Sequence, residues 1–309
     1  FTMWKFFPNS VYKIKSSLTA INNSQLLSPH CFMKVVAKGN ANIVIDYGNP
    51  NWLYRCCVRY ENSLKCNNDY SLENYQYIKS TVEPLLKGTL CDMELKTISL
   101  ELLKPVISEY IAQMDDTKVL VIKMPNLKSK DLDKQIYADH YTKIYASNDS
   151  RCVLWEFKPK WLHSVTDYCR NCTHSTMKGR EMRYCYALLH RDHQHLDKVL
   201  AAVTSIPLQC GKELFRYFRD DKNVLATLYE AQMNLSHRKL EEIESVTDVD
   251  EELLLAMTLK DVTCFIEWRS DTDRLRVNVV DADLKPKEKF QHWLKTHHQL
   301  EAQEIKHYH

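Results

Sequence analysis

Glycine is scarce in this sequence, with five among 309 residues against an average usage of about 7%. Neither the P-loop pattern G-x-x-x-x-G-K-[ST] nor the pattern G-x-G-x-x-G occurs. Two of the glycines, Gly39 and Gly48, flank the segment KGNANIVIDYG. Glycine lets backbone N–H groups approach phosphate oxygens closely, so residues 38–42 are a candidate phosphate-contacting loop. An ordinary hairpin turn is the competing interpretation.

Long apolar runs are also missing, since no stretch of about eighteen apolar residues occurs, and we expect no bilayer-spanning helix. The 42 Lys and Arg nearly balance the 40 Asp and Glu, leaving a net charge of +2. This balance gives no strong attraction to nucleic acid or to anionic membranes. We therefore expect a monomeric protein with no membrane partner and no direct nucleic-acid partner, in which any anion site comes from local clustering.

The chain has no pattern typical of a small disulfide-stabilised secreted domain. Its eleven cysteines are an odd number scattered through a long sequence, and the first residues do not resemble a signal peptide. We expect a reducing, intracellular compartment. Residues 1–32 are polar, rich in Ser and Asn and without clear periodicity, so we interpret them as an N-terminal extension and Met33 as an alternative start.

What is present predicts an α+β fold with a strand-rich N-terminal lobe, residues 33–125, and a larger helix-rich C-terminal lobe, residues 126–309. The segments MKVVAKGN, ANIVIDYG and LYRCCVRY predict antiparallel strands, and KVLVIKM and CVLWEFK predict a second strand pair. Residues from about 168 to 260 are mostly helical in pattern, and the segment DEELLLAMTLKDVTCFIEW has helical periodicity throughout. The segment RLRVNVVDADL predicts a late β-element.

The segment EFKPKW, residues 156–161, carries an unusual charge pattern. Strand alternation would put Glu156, Lys158 and Lys160 on one face. Two ammonium groups beside a carboxylate suit anion binding, although a solvated strand face explains the pattern as well.

Acidic residues occur at two further places. Asp261 precedes a hydrophobic stretch, and Asp281 and Asp283 follow the predicted late strand. Strand-end carboxylates can hold Mg²⁺ against nucleotide phosphates while a separate carboxylate orients an acceptor hydroxyl. Turn residues at strand ends are the alternative interpretation. Lysines at 285, 287 and 289 follow directly and could offset the charge of a phosphorylated acceptor.

The segment CRNCTHSTMKGREMRYCY allows two interpretations. Cys169, Cys172 and Cys185 suggest structural zinc, but His174 is too close to Cys172 for both to be ligands comfortably. Alternatively, Arg170, His174 and Lys178 share one helical face and form an anion-binding patch. We favour the anion patch over zinc.

These motifs, in this order, resemble the fungal form of the inositol-pentakisphosphate 2-kinase family over nearly the whole chain from Met33. The resemblance implies a two-lobed fold distantly related to protein kinases. It also implies ATP-dependent transfer, with Mg²⁺, to the 2-hydroxyl of inositol pentakisphosphate, giving inositol hexakisphosphate, in the nucleus or the cytoplasm.

The resemblance also implies roles for individual residues. Asp261 would be the catalytic base or orienting group, and Asp281 with Asp283 would hold Mg²⁺. Nucleotide contacts would come from Gly39, Asn42, Arg59, Asn126 and Glu156. Inositol phosphates would be held by Lys158, Lys160, Arg170, His174, Lys178, Lys222, Asn223, Lys285 and Lys289. The sequence departs from the family pattern at Asn40, at the T-H-S following Cys172 and at the Lys222-Asn223 pair.

A different class stays open at this point. The C-R-N-C-T-H segment and the basic C-terminal region also suit a non-catalytic, zinc-stabilised module that binds phosphorylated ligands or RNA.

Overall fold

A computed structural model describes residues 33–309 except for 87, 181, 183, 193, 198–205, 236–238 and 273. The described chain divides into two compact units. One unit contains the described residues up to Gln76 together with Cys91–Ser129, and the other contains Tyr77–Leu90 together with Lys130–His309.

The first unit is built on a five-stranded antiparallel sheet with the strand order β1-β2-β3-β5-β4. Its strands are β1 (Lys34–Lys38), β2 (Asn42–Asp46), β3 (Trp52–Cys57), β4 (Glu94–Ser99) and β5 (Lys118–Pro125). The antiparallel series predicted from the first three strand segments is confirmed. β-branched residues such as Ile43, Ile45 and Val121 supply buried positions of this sheet, and such side chains pack well on a pleated surface.

Two helices belong to this part of the chain, α1 (Leu64–Tyr77) and α2 (Leu100–Ile107). The second helix buries Leu103, Val106 and Ile107, whose three- and four-residue spacing gives one apolar face. These side chains pack with Ile43 and Val121 of the sheet in one hydrophobic cluster. A π-helical segment, Ile78–Val82, and a short 3₁₀ turn, Glu83–Leu85, follow α1.

The second unit has its own five-stranded antiparallel sheet, with the order β10-β9-β8-β7-β6. Its strands are β6 (Lys134–Ala138), β7 (Thr142–Ala146), β8 (Cys152–Phe157), β9 (Thr263–Arg269) and β10 (Arg276–Val280). The mixed α+β class with a late β-element is confirmed.

Two strand predictions were wrong. The segments KVLVIKM and CVLWEFK form β5 and β8, which belong to different sheets, because each pairs with other strands on both sides. The segment TCFIEWR is strand β9 instead of the end of a helix. Its alternate side chains Cys264, Ile266 and Trp268 are buried, and strands on both sides pair with its backbone, so its period is two.

The second unit also contains helices. They are α3 (Arg170–Met177), α4 (Tyr186–Arg191), α5 (Leu208–Arg219), α6 (Val224–Asn234), α7 (Glu251–Leu259) and α8 (Phe290–Glu301). Aromatic residues fill the core, where Trp155 contacts Phe157 and Phe218 edge-on. Phe290 and Trp293 anchor α8 to a cluster with residues of α7. Within the described residues, no helix combines the length and hydropathy of a membrane span.

Candidate active site

Asp261 lies in the short connection between α7 and β9, where its backbone N–H donates to the carbonyl oxygen of Thr258 at 2.9 Å. Each of its carboxylate oxygens contacts a different ammonium group. Lys160 Nζ lies 2.5 Å from Oδ1 and Lys285 Nζ lies 2.7 Å from Oδ2. The structure thus brings together three of the residues singled out in the sequence.

The two lysines reach Asp261 by different routes. Strand β8 ends at Phe157, so the predicted strand alternation through Lys160 was wrong. Instead, Lys160 adopts a left-handed backbone conformation, with φ 56°, which is uncommon for a residue with a side chain. Lys285 follows β10, and its side chain is only 10% exposed. A buried ammonium group needs a partner, and Asp261 provides it.

These lysines control the charge of the carboxylate. Burial alone would raise the pKa of Asp261, but the ammonium groups of Lys160 and Lys285 outweigh it and hold the pKa well below its ordinary value. Asp261 is therefore ionised at neutral pH. A negatively charged oxygen between two cations can accept a hydrogen bond from a hydroxyl group and align that hydroxyl beside a phosphate.

Asp281 and Asp283 lie directly after β10, as predicted. Asp281 has a left-handed backbone, with φ 61°, and its Oδ2 accepts a hydrogen bond from Thr263 Oγ1 at 2.8 Å. The hydroxyl of Thr258 donates to the carbonyl oxygen of Asp283 at 3.0 Å. Both aspartates are partly exposed. Carboxylate oxygens at a partly open strand end are the hard donors that Mg²⁺ prefers, so this pair fits a magnesium ion.

The predicted anion-binding residues in and next to helix α3 differ in their exposure to solvent. Arg170 is buried, with its guanidinium 4.2 Å from the ring centre of Trp161 and its Nη1 3.2 Å from His297 Nδ1. His297 Nε2 in turn contacts Glu241. His174 is partly buried and Lys178 is exposed at the end of the helix. A chain of polar contacts thus fixes Arg170, while Lys178 faces solvent.

Two basic residues of this region, Arg180 and His140, were missed by sequence reasoning. Arg180 Nη1 lies 2.7 Å from His140 Nε2, joining the end of α3 to the turn between β6 and β7. Burial, followed by the charges of Arg180, Lys160 and Lys158, lowers the pKa of His140 to about 4. This crowding of positive groups is what a polyanion site requires. The sequence signal that could have identified Arg180 is its position close to Lys178, separated from it only by Gly179.

Lys222 and Asn223 lie at the start of α6. The Oδ1 of Asn223 accepts from the N–H groups of Leu225 and Ala226, and its Nδ2 donates to the carbonyl oxygens of Phe218 and Asp220. The Oδ1 of Asn223 thus caps the start of α6, while its Nδ2 bonds to carbonyl oxygens at and just after the end of α5. Lys222 is exposed, as is Lys289 at the start of α8.

The predicted nucleotide contacts of the first unit lie in the β1-β2 hairpin and shortly after β3 and β5. Gly39 N–H donates to the carbonyl oxygen of Asn42 at 2.8 Å, closing the β1-β2 hairpin. Arg59 follows β3, and its guanidinium lies 4.5 Å from the ring centre of Tyr70. Asn126 follows β5 and bonds to Pro50 and Asn51.

Glu156 belongs to the second unit. It lies on β8 and pairs with Lys143 at 3.6 Å.

Cys169, Cys172 and Cys185, which the sequence suggested as zinc ligands, lie together in the second unit. Their Sγ atoms and one ring nitrogen of His309 are all within 4.8 Å of one another. From the sequence, His174 was the only histidine considered as a fourth ligand beside the three cysteines. In the structure, His309 is the histidine that lies with them.

Phosphoryl-transfer enzymes use a carboxylate that orients the acceptor, separate carboxylates that hold Mg²⁺ and cations that offset phosphate charge, and the residues described above offer each of these groups. A family model described as inositol-pentakisphosphate 2-kinase matches residues 36–234 and 213–299, and the chain belongs to this family. The resemblance and the prediction of an enzyme are confirmed, and the kinase is favoured over the non-catalytic binding module.

Curated relatives match over nearly their whole length. The inositol-pentakisphosphate 2-kinase of Saccharomyces cerevisiae is 45% identical over 278 residues, covering 89% of this chain and 99% of the relative. That of Candida glabrata is 41% identical over 270 residues, covering 86% and 96%. That of Eremothecium gossypii is 37% identical over 275 residues, covering 87% and 97%.

Proposed function

We propose that this protein transfers the γ-phosphoryl group of ATP to the 2-hydroxyl of inositol 1,3,4,5,6-pentakisphosphate, giving inositol hexakisphosphate. The observation that carries the proposal is the carboxylate of Asp261 held between Lys160 and Lys285. Membership of the family and the names of the curated relatives support the choice of substrate.

Asp261 orients the acceptor hydroxyl by accepting its hydrogen bond. Because its pKa is low, it is a weak base in the free protein. When acceptor phosphates bind, they compete for the ammonium groups of Lys160 and Lys285. These two cations then stabilise the negative charge of the Asp261 carboxylate less. Its proton affinity then rises, so it can accept the hydroxyl proton as the O–P bond forms.

The charge of the acceptor explains the number of cations. Five phosphates at about −1.5 to −2 each bring roughly −8 to −10 charges, which several cationic side chains must offset. The residues of the second unit proposed for this role are Lys158, Lys160, Arg170, His174, Lys178, Lys222, Lys285 and Lys289, with His140 and Arg180 added by their contacts. Asn223 caps the start of α6 and so fixes the backbone next to Lys222.

The proposed nucleotide contacts are Gly39, Asn42, Arg59, Asn126 and Glu156. Asp281 and Asp283 would hold Mg²⁺, which when bound neutralises phosphate charge. The hydroxyl of Thr263 fixes the Asp281 carboxylate through its hydrogen bond of 2.8 Å, so the ligand oxygen is oriented before the ion arrives.

A product assay tests the proposal directly. The protein is incubated with ATP, Mg²⁺ and a series of inositol phosphates that differ in which hydroxyl is free. We expect inositol hexakisphosphate only from the isomer with a free 2-hydroxyl, and Asp261→Asn should lower turnover about 100- to 10,000-fold. Asp271→Asn, on an exposed turn after β9, is the matched control and should retain activity. Full turnover in Asp261→Asn would refute the role of Asp261, and phosphorylation at another hydroxyl would refute the acceptor.

A further inference from the structure

Three thiols and one imidazole converge beside helix α3. Cys169 Sγ lies 3.5 Å from Cys185 Sγ, and His309 Nε2 lies 3.2 Å from Cys185 Sγ and 3.7 Å from Cys172 Sγ. All four atoms are within 4.8 Å of one another. Cys185 is buried, Cys169 and Cys172 are partly exposed and His309 is exposed.

These separations match a tetrahedral metal site. With Zn–S bonds of about 2.3 Å and a Zn–N bond of about 2.0 to 2.1 Å, tetrahedral angles put two sulfurs about 3.8 Å apart and sulfur and nitrogen about 3.5 Å apart. Three thiolates and one imidazole with no vacant position are the ligand set of a structural zinc ion. We propose that Cys169, Cys172, Cys185 and His309 bind one structural zinc ion.

The ligands are positioned by contacts that do not involve the four ligand atoms. Cys169 immediately precedes α3, Cys172 is in its first turn, and Cys185 immediately precedes α4. The segment ending at His309 lies along α3 through His307, whose carbonyl oxygen accepts from Cys169 N–H at 2.6 Å. His307 N–H donates to Thr173 Oγ1 at 3.2 Å, and its Nε2 lies 2.7 Å from Thr176 Oγ1. The backbone therefore brings His309 to the cysteines.

The zinc ion would join α3, the start of α4 and the segment that ends at His309. His174 lies on helix α3 and Lys178 directly follows it, so metal binding would fix the helix that positions these two acceptor contacts. This consequence for the acceptor rests on the proposed function. The zinc site itself rests only on the geometry of the four ligands.

Metal analysis of the full chain, purified under reducing conditions without a metal-affinity step, tests the site. We expect one zinc ion per chain by plasma mass spectrometry, and cobalt exchange should give the visible bands and the thiolate charge-transfer absorption of a tetrahedral site. Cys172→Ser and His309→Ala should each lose zinc. Cys66→Ser, which removes an exposed cysteine of the first unit, should keep it.

Folding and activity are measured separately from metal content. His309→Ala changes an exposed side chain, so circular dichroism should show an intact fold together with metal loss. Protein purified without stoichiometric zinc that also fails to take it up would overturn the proposal. Zinc retained by both Cys172→Ser and His309→Ala would also overturn the proposal. A thiol titration that finds two fewer free thiols in the wild type, as a Cys169–Cys185 disulfide would give, would overturn it too. Failure of the kinase assay with zinc present would refute only the proposed function.

Discussion

Gln232 Nε2 donates a hydrogen bond to the carbonyl oxygen of Lys160 at 2.9 Å, and the same nitrogen donates to the carbonyl oxygen of Leu259 at 3.1 Å. Its Oε1 accepts from the N–H groups of Leu162 and His163. Gln232 is fully buried on α6. One amide therefore ties the loop that carries Lys160 to the end of α7, just before Asp261.

Replacing this amide should disturb both stability and catalysis. Gln232→Leu leaves four backbone groups without their side-chain partner, so we expect the free energy of unfolding to fall by about 3 kcal/mol. Turnover should fall as well, because Lys160 is no longer held against Asp261. Urea unfolding and initial rates measure the two effects, with the exposed Gln209→Leu on α5 as control. Equal behaviour of the two variants would contradict the positioning role.

The turn between β6 and β7 should take up a proton when a polyphosphate binds. Arg180 contacts His140, and burial, followed by the charges of Arg180, Lys160 and Lys158, lowers the pKa of His140 to about 4. A bound polyanion reverses the local potential and raises this pKa. Calorimetric titration near pH 5.5, in buffers that differ in ionisation heat, should therefore show proton uptake that His140→Asn reduces. Identical uptake in wild type and variant would exclude His140 as the group.

The same shift has a consequence for folding. The pKa of His140 is lower in the folded chain than the ordinary value of about 6.5, so the unfolded chain binds more protons between pH 4 and 6.5. Its contribution to stability therefore falls as the pH drops through this window. The difference in unfolding free energy between wild type and His140→Asn, followed against pH, should change in this window and be constant above it.

Arg180 offers a test of acceptor binding that leaves Asp261 in place. Arg180→Ala removes a cation beside His140, so we expect the KM for inositol pentakisphosphate to rise about 10- to 100-fold with a smaller change in kcat. Arg216→Ala, which removes an exposed cation on α5 that pairs with the partly buried Glu213, is the matched control. A fall in kcat without a change in KM would contradict a binding role.

Sequence reasoning found residues whose chemistry follows from local pattern. Asp261 precedes an apolar stretch and Asp281 follows a β-branched run, so both could be assigned to element ends from sequence. Lys160 was found for the wrong reason, since its approach to Asp261 depends on a left-handed backbone instead of strand alternation.

The site residues and the strand that sequence reasoning missed depend on contacts between segments far apart in the chain. His140 and Arg180 are 40 positions apart, and His309 is 124 positions from Cys185, so only the packed fold brings them together. Strand β9 was missed because its alternate burial depends on β8 and β10, which are supplied by distant segments. Local periodicity could not distinguish it from the helix before it.

Lys260 shows how an anion site can reduce stability. It is buried next to Asp261, and its Nζ lies 4.2 Å from the ring centre of Trp161, which Arg170 also contacts. Burial and, second, the charge of Arg170 lower its pKa to about 7. The unfolded chain therefore binds more protons between pH 7 and about 10.5, and this lysine makes folding less favourable as the pH falls toward 7.

Lys260→Met keeps the length of the side chain and removes the charge. We expect its unfolding free energy at pH 7 to exceed that of the wild type by about 1 to 3 kcal/mol, and the difference to shrink toward pH 10, because removing the proton of the wild-type lysine costs less as the pH approaches its ordinary pKa of about 10.5. Binding of inositol pentakisphosphate should weaken, because a basic group near Arg170 is lost. Urea unfolding at several pH values and calorimetric binding measure the two effects. A variant less stable than the wild type at pH 7 would show that the ammonium group stabilises the fold, contrary to its lowered pKa.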